Sequence, residues 1–155
     1  DRHKRDAAAV ATRHDAPVYV PQWMSGVADA LDAPVERFGG ELADSGFEAV
    51  RIRDSGIPPW HEVGLYHPEG GTLLVPEAVG TAAYFRAPGE PLGVHPMLRP
   101  VPPRRELSRF DPERVLVGHG AGVDTDAAAA LDDALDNARS NLPGAYGQAL
   151  KQLLS

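Results

Sequence analysis

Residues 63–78 read VGLYHPEGGTLLVPEA, and the architecture turns on this stretch. Two apolar runs flank Pro68-Glu69-Gly70-Gly71, a strong turn signal. The pattern predicts a β-hairpin with His61–His67 and Thr72–Val75 as its strands. Upstream, Phe47–Ile52 alternates in part and predicts another strand, and Asp54–Pro59 (DSGIPP) carries the turn residues of a loop. Further upstream, Met24–Leu31 reads as a short helix, and Val18–Val20 as a β run stopped by Pro21. The alanine-rich residues 4–13 read as a helix ended by His14-Asp15-Ala16-Pro17, where His14 suits the helix dipole.

Downstream, Arg86–Arg105 holds six prolines and predicts a long irregular connection, of the kind that is often functional or mobile. Arg114–Val117 is a short strand followed by Gly118-His119-Gly120-Ala121-Gly122. Asp124-Thr125-Asp126 offers N-caps to a helix from Ala127, whose apolar positions Leu131, Ala134, Leu135 and Ala138 recur at helical spacing. Asn141–Gly144 interrupts that pattern, and Tyr146, Ala149, Leu150 and Leu153 mark a terminal helix. Strands before and between helices give an α/β or α+β class.

The chain has 155 residues, which suits a single domain over 1–155, with the helices at 126–155 closing it. No apolar run reaches the roughly 20 residues that span a bilayer, so no membrane role and a cytoplasmic location are expected. The formal charge of −7 without a basic stripe gives nucleic-acid binding no electrostatic support. Cysteine is absent, which removes disulfides, thiolate metal sites and a cysteine nucleophile. Lys4 and Lys151 are the only lysines among 15 basic residues, and this arginine bias with many acids resembles salt-adapted proteins. No serine lies in a nucleophile elbow, and the glycines around His119 lack the third glycine of a dinucleotide fingerprint.

Three segments, taken in order over residues 1–120, resemble the metallo-β-lactamase superfamily. Asp1-Arg2-His3-Lys4-Arg5-Asp6 stands where that family has its His-x-His-x-Asp-His loop at a helix start. The hairpin at 63–78 resembles the family hairpin that ends in Gly-Asp, here Pro76-Glu77. Residues 114–120 (RVLVGHG) resemble the late strand and turn that deliver the last histidine ligand. The resemblance implies an αββα sandwich, N-terminally incomplete, in which this chain is the C-terminal two-thirds. It also implies two metal ions that lower the pKa of a bridging water and polarise the scissile bond.

Carried over residue by residue, the metal ligands implied are His3, Glu77 and His119, with Asp1 and Asp6 as further oxygen donors. Asp1 replaces the first histidine and Asp6 the fourth. Arg5 replaces the aspartate, and a guanidinium cannot ligate. It would pair with Glu77 or Asp6 instead. Ile57 falls on another ligand histidine and is expected on an apolar wall of the cluster. His61 is expected to pack rather than ligate, His67 to be exposed, and His95 to line at most a pocket. Trp23 and Trp60 are expected in the core or a pocket wall.

Two functions stand open. The first is a ligand-binding relative with a degraded dinuclear site, non-catalytic or weakly active, holding a small-molecule ligand. The second is a hydrolase of an ester, thioester, lactam or phosphodiester, using one zinc or another divalent ion. A bound metal and no metal are both admitted, as is a homo-oligomer.

Overall fold

The structure, a computed structural model, describes residues 6–153, with side chains to residue 147. In chain order the elements begin with helix α1 (Ala7–His14), strand β1 (Val18–Pro21), helix α2 (Ser25–Ala28) and strand β2 (Val35–Phe38). Strands β3 (Glu48–Gly56), β4 (Pro59–His67), β5 (Thr72–Val75), β6 (Val79–Gly80) and β7 (Gly93–Val94) follow. Helix α3 (Arg104–Leu107), strand β8 (Arg114–Val117) and helices α4 (Ala127–Asp136) and α5 (Leu142–Leu153) complete the order. The result is a mixed α/β architecture. No described helix is long and apolar enough to cross a membrane.

The central sheet has the order β3-β4-β5-β8. β3, β4 and β5 are antiparallel neighbours, and β8 lies parallel to β5. The expected hairpin forms, with Leu65, Tyr66 and His67 opposite Leu74, Leu73 and Thr72. Period-two alternation turns Val50, Ile52, Trp60, Leu73, Val75 and Val115 into the core. Against them packs α4 through Ala127, Ala130, Leu131, Ala134 and Leu135, the face anticipated from its spacing. Small parallel (β1-β2) and antiparallel (β6-β7) ladders flank this sheet.

Several expectations need correction. Asp54–Pro59 is mostly strand: β3 and β4 pair down to Gly56 opposite Pro59, which leaves only Ile57-Pro58 as the turn. Local turn residues lose here to the ladder bonds that each strand gains from its partner. Arg86–Arg105 is no loose connection. Leu92, Val94 and Leu98 are buried in it, and Arg99 is fully buried. α5 begins at Leu142, so Asn141–Gly144 interrupts the helical pattern for less than its length. Asp126 stands at the N-cap of α4 with φ 50°, and its side chain makes no capping bond. His67 is half-buried: its Nδ1 accepts the Gly70 N–H at 3.0 Å, and its ring packs edge-on against Phe47. β2, β6 and β7 were not anticipated.

Candidate functional site

The parallel pairing of β5 with β8 builds the site. Val75 is level with Val117, so Glu77 and His119 each lie two residues beyond matched ends. Gly118 permits this approach, because a Cβ there would meet the Pro76 carbonyl oxygen at 2.3 Å. The His119 carbonyl then accepts the N–H groups of Thr81 and Ala82 at 2.9 and 3.0 Å, and the turn is held at both sides. His119 Nε2 lies 3.1 Å from Glu77 Oε2.

A third strand end adds His95. β7 pairs Val94 with Val79 of β6, and the His95 N–H donates to the Ala78 carbonyl at 2.9 Å. The imidazole Nε2 stands 3.9 Å from Glu77 Oε1. Its Nδ1 accepts the Met97 N–H at 3.2 Å, which leaves the ring proton on Nε2, facing the carboxylate. Phe85, fully buried, stacks on His119 with centroids 5.4 Å apart and meets His95 edge-on at 5.3 Å. Trp60 closes on His95 from another side at 5.0 Å. Burial, with the nearby Glu77 charge, raises the Tyr84 hydroxyl above its ordinary pKa.

Beneath Glu77 lies a residue that motif reading passes over. Glu62 occupies an inward position of β4, between Trp60 and Gly64, and is 4% exposed. One carboxylate oxygen accepts the N–H groups of Glu77 and Ala78 at 2.7 and 2.8 Å, and the other accepts Trp60 Nε1 at 2.8 Å. Glu62 therefore fixes the backbone that carries Glu77. Burial raises its pKa above the usual carboxylate range, against the lowering effect of these three donors. A glutamate at an inward position of a period-two strand was the available signal.

Of the ligands the resemblance implies, Glu77 and His119 come together, while Asp1 and His3 lie outside the described residues, as does Arg5. Asp6 is exposed at the start of α1, where its carbonyl accepts the Val10 N–H at 3.0 Å. Ile57 is not on the wall of the cluster: it tips the β3–β4 turn and is 94% exposed. His61 Nδ1 pairs with Asp54 Oδ1 at 2.8 Å.

The described donors do not by themselves make a metal centre, and Asp1 and His3 are not among them. Among the described residues no group of three or more His, Cys, Asp or Glu could hold an ion. His95 presents a proton rather than a lone pair to the space beside Glu77. Glu77, His95 and His119 together offer one carboxylate and two imidazoles, groups that can hold and pass protons.

No protein-family model and no curated protein matches the chain. Solved structures similar to it include a metallo-beta-lactamase and a protein in a di-iron-bound form. One is the DIM-1 metallo-beta-lactamase exposed to ceftazidime, 15% identical with a TM-score of 0.49, covering 86% of this chain and 63% of that one. The other is TTHA1623 in a di-iron-bound form, 25% identical with a TM-score of 0.48, covering 82% of this chain and 69% of that one. The chain thus spans less than two-thirds of the DIM-1 chain.

Proposed function

We propose that this chain is a ligand-binding relative of the metallo-β-lactamases, with a degraded dinuclear site and little or no catalysis. The observation that supports this is the occupancy of Glu77. The carboxylate at the metal-bridging position is met by His119 at 3.1 Å and by the proton-bearing nitrogen of His95 at 3.9 Å. In the motif, Arg5 stands where the family has an aspartate ligand, and a guanidinium cannot ligate. The second reading is a hydrolase with one zinc or another divalent ion. It is favoured by the in-register delivery of Glu77 and His119 from parallel strand ends.

Metal content separates the two. Protein purified without chelator is expected to carry zinc, manganese and iron far below one equivalent. One equivalent that disappears in His119→Ala would overturn the proposal in favour of the hydrolase.

A further inference from the structure

A cleft of about 230 Å³ lies between β1, α2 and β4. Val20, Met24, Val27, Leu31, Trp60 and Val63 supply its apolar lining, and Glu62 and Glu77 line it as well. Val20, Met24 and Trp60 are buried, so these walls belong to the packed structure rather than to a loose surface. We infer that this cleft binds an uncharged, largely apolar molecule the size of one substituted aromatic ring. The inference rests on the ligand-binding reading above and names the ligand class.

Three observations carry it. The first is size: an apolar cavity of about 150 Å³ already takes benzene, so the cleft accommodates a ring and a substituent. The second is chemistry. Trp60 Nε1 donates to Glu62 at 2.8 Å, which commits its polar atom away from a ligand. The Met24 thioether supplies an adaptable surface suited to aromatic edges. The third is charge. The lining holds two carboxylates, Glu62 and Glu77, and they oppose an anion. Glu62 already accepts three N–H groups and Glu77 is met by imidazoles, so neither asks for a cation from the ligand.

The composition provides an internal control. The chain has two methionines and two tryptophans. Met24 and Trp60 line the cleft, whereas Met97 is 51% exposed and Trp23 packs under Arg51. Toluene is titrated into full-length protein carrying 13C-methyl methionine and 15N-tryptophan, and NMR follows the four probes. Saturable shifts of the Met24 methyl and the Trp60 indole are expected, with Met97 and Trp23 nearly still. Val27→Phe, which adds bulk to the lining, should weaken binding at least about tenfold. Its Trp60 indole signal should keep its dispersed position, which shows that the fold persists.

Benzoate and benzylamine test the charge of the ligand, and both should bind more weakly than toluene. No shift at Met24, parallel shifts of both methionines, or tighter binding of either charged ring would overturn the inference. Metal content is a separate readout, so failure here is distinguishable from failure of the ligand-binding reading.

Discussion

Two carboxylates, the half-buried Glu90 and the buried Glu77, sit in contrasting company. Glu90, in the proline-rich segment, is gripped by Arg99 through both oxygens, at 2.5 and 3.1 Å. It also accepts the Ala87 N–H at 2.7 Å and Asn141 Nδ2 at 2.9 Å. Arg99, with no exposure, reaches on to the carbonyls of Phe85 at 2.7 Å and Ala138 at 3.4 Å. The pair thus ties the segment to the end of α4 and holds the backbone of Phe85, the ring between the two histidines. Glu77 instead meets His119 and His95. A guanidinium keeps its proton at every physiological pH, whereas an imidazole exchanges it. The first arrangement is suited to holding a shape and the second to chemistry or ligand response.

The largest effect that would break this comparison is on Arg99. Arg99→Ala strands Glu90 in the interior and should cost about 3–5 kcal/mol in denaturant unfolding. A loss below ~1 kcal/mol would mean that the pair is not the anchor of the segment.

The next test uses pH. Burial pushes the Glu90 carboxyl up, but the Arg99 hydrogen bond, the other donors and the Arg99 charge outweigh it, and its pKa is lowered from 4.5. Its stabilisation is therefore present above pH 4.5 and is lost as pH falls through the lower folded value. Glu62 has the opposite sign. Its pKa is raised from 4.5 by burial, so its favourable contribution is present below that pH and is lost as pH rises through the folded value. Stability curves should show Glu90→Gln with a shallower acid-side decline than the unmodified protein. Glu62→Gln should lose the decline on the rising side. Swapped slopes would reverse the roles assigned to the two carboxyls.

The smallest effect is expected at the site itself. His119 is 30% exposed in its side chain, so His119→Ala should cost no more than about 1 kcal/mol. A loss as large as that of Arg99→Ala would make the Glu77–His119 pair a structural anchor too and erase the contrast.

Much of the frame was legible because its signals are local. Pro68-Glu69-Gly70-Gly71 between apolar runs specified the β4–β5 hairpin, and the 3.6-residue spacing from Ala127 specified the buried face of α4. Glu77 and His119 were found by motif context alone. Ile57 failed because a count along the chain cannot see ladder register: β3 and β4 pair through to Gly56 and Pro59, and that carries Ile57 to the tip. The sequence places His95 at most on a pocket wall, because the two-residue strand before it has meaning only against β6.

The amino-acid order thus determined which segments pair with near neighbours, which helix face is apolar, and which side chains could carry chemistry. It could not determine which of those side chains meet. Glu77 and His119 are 42 positions apart, and only the parallel register of β5 and β8 brings them level. Glu62 lies under Glu77, and Arg99 in the core, because buried polar groups take whatever partners the packed backbone offers. Those partners come from distant strands and loops, so the tertiary structure alone decided them.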